Sequence, residues 1–555
     1  MTTNLPFPAS GIVNAGGVGR GWVWMVQVQV PSGVSTQTFT VAVDGTTVAT
    51  LTGAQKYGPI ALVGTSTLTI SGGQTGQDVQ LTGNVFAYSP GPPLPPMQGG
   101  LVFNVLDYGA DPTGVQDSTA AITQCCKDAA AVGAVAYAGP GTFISNGATS
   151  PVQDTGYLQL QGAGENLTKF ICTQTPPGGG GVFNLAMPGE IADITFDGNG
   201  TVVGTSSYQV LSVGNGHAGV TWPGSTLRRV TCTNINPGVT NNGWNLIVWM
   251  SGTGSPIIDT LILEDVTVSG PSATSFDAMA INTFNVCYAT RMNFLNLVRT
   301  PNFYSGNTLI VAGLYSNGCT SVGGVIVNSA VLELLASGIK TDATFGNAGF
   351  NLAAPKSMIV DSDFAGGLTL NGTNATQQFT NCRMSVSNGF FIRTAVSLLE
   401  VSTCVFDSSI FVYGPTASGP YHFSNCAFSA GGGGAVFVSN SSAVIDAHIE
   451  GGSIPSGATL LSGCTLASTA RISGLSYYNP VGPVTVAVPA SGTATAALPY
   501  DATFYITQAT AASSVAVQGQ TLAIPIGGPT AVRVPAGETL TPTYTTAPTW
   551  VVMGE

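Results

Sequence analysis

Apolar and polar residues alternate over short stretches along most of this chain, separated by Gly, Asn, Asp and Ser, so the pattern predicts β-strands joined by tight turns. Between residues 1 and 88 the alternation runs through Val23–Val30, Phe39–Val43 and Ser66–Ile70, with a turn signal at Asp44–Gly45, and predicts a small antiparallel sandwich. Residues 89–100, SPGPPLPPMQGG, interrupt it with prolines that favour an extended spacer. From 101 to 480 the alternation becomes periodic. Ala192–Phe196, Arg228–Cys232 and Glu264–Val268 align at 36-residue steps on Ile194, Val230 and Val266, and Cys382, Cys404 and Cys426 follow at 22-residue steps. Fixed periods predict a solenoid whose coils stack equivalent strands about 4.8 Å apart. Three short strands and three turns fill 22 residues, so a 36-residue coil carries about 14 more in loops outside the stack, where function is expected. Residues 481–555 alternate in Val484–Val488, Ser514–Val517 and Ala531–Val534 and predict a second small β-domain.

One helix is expected. Phe103, Val105 and Leu106 predict a strand, Gly109–Gly114 a turn region, and Asp117 or Ser118 the N-cap of a helix through about Ala131. Ile122, Cys125, Cys126 and Ala129 share one face of that helix, which therefore has something to cover. The run Asn104–Ala110, followed by Asp117–Ile122 and then Ala138–Phe143, resembles the N-terminal signature of the pectate-lyase-like superfamily. The resemblance implies an all-β fold, a right-handed parallel β-helix whose open end is plugged by the helix. The superfamily holds lyases, hydrolases, epimerases, phage tailspikes and inert virion parts, so the match speaks to fold and leaves the chemistry open. The C-terminal block, ending TPTYTTAPTWVVMGE, resembles the small β-domains of phage tail fibres and spikes. Together the two resemblances imply a bacteriophage surface protein of tailspike or tail-fibre type, a homotrimer in contact with other virion structural proteins.

Composition narrows the partners. Fourteen Lys and Arg against 26 Asp and Glu give a net charge of -12 with no basic cluster, which argues against nucleic acid. Only 7% of residues are charged and the mean hydropathy is +0.32, so outer surface is expected to be covered by copies of the chain or by the virion. Ten cysteines without CxxC spacing predict small buried thiols, with no disulfide framework, metal or cofactor. MTTNLPFPASGIVN lacks the pattern of a signal peptide, and no apolar run approaches the roughly 20 residues of a membrane span, so a virion component assembled in a host cytoplasm is expected.

Candidate chemistry lies on the β-helix. Parity points Ile194, Phe196, Val230, Cys232, Val266 and Val268 inward and stacks Asp193, Arg229, Asp265 and Arg291 outward. Alternating charges on neighbouring strands form either a structural ladder or a glycan groove in which one carboxylate is the acid or base. Tyr208, Trp222 and Trp244 fall in long excursions and are candidates for stacking on sugar rings, or else pack the loops; Trp249 is expected in the core. Asp446, His448 and Glu450 face one way and form either a solvated set or an acid/base or metal candidate. Asp361 and Asp363 invite comparison with the paired carboxylates of β-helix polygalacturonases, but an adjacent Asp-Asp, a Gly-His-Gly and an Arg-x-Lys are missing, and His217 is a poor substitute. Two functional classes follow. In one the protein binds a host-envelope polysaccharide without cutting it, or only decorates the particle. In the other it is a polysaccharide hydrolase or lyase with an acidic pair among Asp193, Asp265, Asp277, Asp361 and Asp363.

Overall fold

The computed structural model describes residues 2–6, 12–15, 22–29, 38–43, 46–52, 56–63, 68–72 and 78–87. It further describes residues 101–152, 156–174, 181–199, 208–214, 221–234, 243–250, 257–270, 279–297, 301–317, 325–341, 350–384, 389–413, 420–429, 434–476 and 483–554, less 457, 468, 499, 509, 511, 512 and 536.

Several inward-pointing apolar residues recur in every coil, and burying them requires each coil to lie on the next. The result is a 32-stranded parallel sheet wound into a β-helix. A representative coil has a first-face strand Leu368–Leu370, a second-face strand Ala375–Thr380 and a third-face strand Arg383–Met384. These pair in parallel with Phe390–Ile392, Val396–Ser402 and Val405–Phe406 of the following coil. The 36-residue steps hold, since Ile194 lies opposite Val230 and Val230 opposite Val266. Ile194, Phe196, Val230, Cys232, Val266 and Val268 are all fully buried, as alternation requires. The interior is rich in aromatic contacts, with Phe143, Phe170 and Phe196 meeting edge to face from one coil to the next.

From Asp193 onward the coils turn from their second face to their third through one residue in the left-handed region. The column runs Asp193, Arg229, Asp265, Arg291, Gly313, Gly338, Asp361, Asn381, Thr403, Asn425, Gly451 and Gly474, all with φ between 48° and 81°. Asp, Asn and Gly enter this region at low cost, whereas a β-branched residue does so against its own sterics. Thr403, at φ 51°, is therefore the strained member between Asn381 and Asn425. Thr403→Asn is expected to stabilise the protein by about 1 kcal/mol and to raise the calorimetric midpoint. A lower midpoint would mean that the bond from Thr403 Oγ1 to the Ser402 carbonyl, 2.7 Å long, matters more than the backbone strain.

The N-terminal end of the stack differs in one detail from expectation. Val102–Asn104 is a strand, but Val105–Tyr108 is a 3-10 turn, because the Asn104 side chain accepts the Leu106 N–H at 3.1 Å and Gly109 closes the turn at φ 89°. The helix α1 spans Thr119–Val132 with Ser118 at its N-cap position, and Asp117 accepts the Thr119 N–H at 2.8 Å. Ile122, Cys125, Cys126 and Ala129 are fully buried against the first coil. Gly133, at φ 65°, ends the helix.

Antiparallel sheets flank the β-helix. The described strands between residues 2 and 87 form two four-stranded sheets, and those between 483 and 554 form one of four strands and one of three around Phe504, Ile506, Val515 and Val552. Trp550 packs edge-on against Phe504 and donates its indole N–H to the Val486 carbonyl at 2.7 Å. Nine described cysteines are free, and eight of them are buried. Burial pushes the Cys125 and Cys426 thiols up to about 12, so they pack as small apolar groups. Among the described residues no helix is long and apolar enough to cross a membrane.

Candidate functional site

Sequence parity brings Asp193, Arg229, Asp265 and Arg291 together, and the corner column fixes how they meet. Arg229 grips Asp193 with two bonds of 2.5 and 2.6 Å, and Arg291 grips Asp265 with bonds of 2.5 and 2.7 Å. A second row interlocks with the first, where Arg228 lies 3.1 Å from Glu190 and 3.0 Å from Glu264, and Arg291 reaches Glu264 at 2.8 Å. The hydrogen bond from Arg229 holds the Asp193 carboxyl below the usual carboxylate range, and Arg291 does the same for Asp265. A carboxyl that gives up its proton more readily than usual is a poor general acid near neutral pH. The geometry is that of a structural ladder. Exposed pairs of this kind contribute up to about 1 kcal/mol each.

The aromatic candidates change places. Trp222 is fully buried, its backbone bridged to Ile258, its N–H donated to the Ile257 carbonyl and its own carbonyl accepting from Asp259. It fills the core and cannot offer a ring to a ligand. Trp249, expected in the core, is 40% exposed, because Leu246, Val248 and Met250 take the inward phase around it. Trp244 is half-buried on the strand Gly243–Val248. Tyr208 opens the strand Tyr208–Val213, but its side chain lies outside the described residues, as do Asp277 and His217.

Asp446, His448 and Glu450 share one face as alternation predicts. The coil below adds what the sequence pattern did not, since His422 lies opposite His448 and their ring centroids are 4.8 Å apart. Glu400 and Arg471 continue this column on either side, and His448 Nε2 lies 3.4 Å from Asp446 Oδ1. Among the described residues no three His, Cys, Asp or Glu side chains are placed to hold a metal ion.

Asp361 and Asp363 enter one cavity of about 430 Å³ on the outer wall. Asp361 is the corner residue of its coil and accepts the Asn381 amide at 2.6 Å. Two residues later, Asp363 opens the third face, with Lys340 directly opposite on the preceding coil and Arg383 opposite on the following one. One oxygen of Asp363, Oδ1, is buried without a hydrogen-bond partner. Arg383 is exposed and bound on its far side by Asp407 at 2.6 Å, which raises its pKa. Thr403, the strained corner residue, lines the same cavity. The cavity thus presents two carboxylates, two cations, an amide and a hydroxyl from four adjacent coils. Such a set can engage a polyhydroxylated ligand, with hydroxyl hydrogens to the carboxylates and hydroxyl oxygens to the cations and the amide. Sequence spacing pointed to the two aspartates only. Lys340 and Arg383 join them because the local coils are 23 and 20 residues long, a register with no signal in the flanking sequence.

Comparison with known proteins follows the fold. The family model described as rhamnogalacturonase A/epimerase, pectate lyase-like, matches residues 102–325. A comparison with curated proteins finds no match. Among solved structures, the catalytic domain of a GH87 alpha-1,3-glucanase in complex with nigerose is similar at 10% identity over 86% of this chain and 92% of that chain, with a TM-score of 0.39. The Azotobacter vinelandii mannuronan C-5 epimerase AlgE4 A-module matches at 17% identity over 65% and 99%, with a TM-score of 0.36. Tailspike protein 3 of bacteriophage CBA120 matches at 12% identity over 71% and 65%, with a TM-score of 0.37. The signature from Asn104 to Ile122, the buried face of α1 on the first coil and the family match coincide on one stretch, and residues 102–325 are a pectate-lyase-like domain.

Proposed function

We propose that this protein is a glycan-binding surface protein of a bacteriophage virion, and that the cavity around Asp361 and Asp363 holds a host-envelope polysaccharide. The observation that carries the reading is the juxtaposition of Asp363 with Lys340 and Arg383 on consecutive coils, in a cavity of about 430 Å³ that opens on the side of the β-helix. Its size lies in the range of small-ligand sites, and its lining sets charged, amide and hydroxyl side chains beside apolar surface, a combination that suits a sugar ring with its hydroxyls. The virion setting rests on the low proportion of charged residues, on the resemblance of residues 104–143 to a superfamily that includes phage tailspikes, and on that of the C-terminal block to the small β-domains of tail fibres and spikes. A homotrimer is the expected assembly, with other virion proteins as further partners.

A second reading, polysaccharide cleavage, is favoured by the buried, unengaged oxygen of Asp363 next to a second carboxylate. One experiment addresses both. The full chain is incubated with envelope polysaccharide of its host, and retention of protein, polymer length, new reducing ends and unsaturated uronates are measured. Retention is expected, weakened roughly tenfold by Asp363→Asn or Arg383→Gln, as for loss of a charge-assisted hydrogen bond. Unchanged retention in both variants would remove the cavity from the function. Shortening of the polymer that disappears in Asp363→Asn would make the protein a depolymerase.

A further inference from the structure

The first face of the β-helix carries a group of side chains distinct from the cavity above. Phe390, Ile392, Ile410 and Val412 take the inward phase and are buried, so Phe391, Arg393, Phe411 and Tyr413 point outward from two adjacent coils. The three rings lie nearly parallel. Phe391 and Phe411 are 5.1 Å apart at 21°, Phe391 and Tyr413 5.8 Å apart at 30°. A side chain at Gly389 would come within 2.8 Å of the Phe411 ring, so glycine there leaves room for the stack. The Arg393 guanidinium lies 5.8 Å from the Phe391 centroid and 5.6 Å from that of Tyr413.

Arg393 differs from other arginines of this chain. Arg228, Arg229, Arg291, Arg383 and Arg533 all bind carboxylates, whereas Arg393 has none among the described residues. In a chain of net charge -12, an exposed guanidinium held against an aromatic wall and bound to no carboxylate among the described residues is suited to receive an anion. The wall offers apolar ring surface to the C–H face of a sugar. We infer that this shelf binds an acidic sugar unit, its carboxylate on Arg393 and its ring against Phe391, Phe411 and Tyr413, so that the polysaccharide recognised is anionic. The inference deepens the glycan-binding reading and rests on it.

The test uses the full chain and two probes, an oligoglucuronate and its size-matched carboxyl-reduced counterpart, with binding followed by calorimetry. The expected result is preference for the acidic probe. Arg393→Gln weakens that binding roughly tenfold or more and removes its salt dependence, Tyr413→Ala weakens binding of both probes, and Tyr413→Phe binds as the parent does. All four side chains point away from the core, so each variant is expected to melt as the parent does. Equal binding of the two probes, or unchanged affinity in Arg393→Gln, overturns the inference. So does a change in sedimenting mass in Arg393→Gln or Tyr413→Ala without loss of probe binding, which would assign the shelf to contact between copies of the chain. Envelope polysaccharide retained by Arg393→Gln but lost by Asp363→Asn would overturn the shelf alone, and no retention by the parent protein would overturn the glycan-binding reading itself.

Discussion

Phe406→Ala is expected to destabilise the β-helix by about 3–5 kcal/mol, the range for removing a large buried aromatic. Phe406 is 1% exposed and meets Phe390 edge to face at 5.6 Å, Phe423 at 5.9 Å, and Phe428 in a near-parallel stack at 5.3 Å. Aromatic pairs add about 0.5–1.5 kcal/mol each beyond the area they bury. The space left by the ring cannot close easily, because parallel ladders to Met384 below and to Phe428 above fix the backbone of the strand. The preceding residue, Val405, lines the candidate cavity, so the loss reaches the site. A solenoid opens in sections, since each coil contacts mainly its neighbours, and the effect is best read locally by hydrogen exchange. Amides of the strands Val396–Ser402, Val405–Phe406 and Pro420–Ser424 should exchange sooner, while those of the first coils keep their protection. A cost under about 1 kcal/mol would show that neighbouring rings refill the space.

What the sequence revealed and what it hid follow from one physical distinction. Inward positions are set by alternation, a property of the strand itself, and Ile194, Val230 and Val266 lie in the register their spacing predicts. The face of α1 is equally local, and Ile122, Cys125, Cys126 and Ala129 bury as its period requires. Outward neighbours depend instead on the length of each coil. The cysteines repeat every 22 residues, while Phe391 and Phe411 are 20 apart and Lys340 and Asp363 are 23 apart, so no single period aligns the shelf or the cavity. The corner residues were visible as a charged row but not as a turn. Nothing in Arg229 or Arg291 announces a left-handed backbone, and only the stack above and below forces it. His422 was missed for the same reason, because it pairs with His448 across a coil of 26 residues.

The two tryptophans separate loop position from burial most sharply. Trp222→Ala is expected to cost about 3–5 kcal/mol, because the indole is fully buried among core side chains and its backbone is tied into the ladder with Ile258. Trp249→Ala is expected to cost less than about 1 kcal/mol, since its ring is 40% exposed. Denaturant unfolding of the two variants side by side measures the contrast. Glycan retention measured on the same proteins gives it a second dimension. If the buried position decides, Trp222→Ala loses binding only in proportion to the protein it unfolds, and any binding defect in a fully folded variant belongs to Trp249. A folded Trp222→Ala protein of parental stability with weakened retention would instead return that residue to the role its loop position first suggested, as a sugar platform, and would require the ring to leave the core.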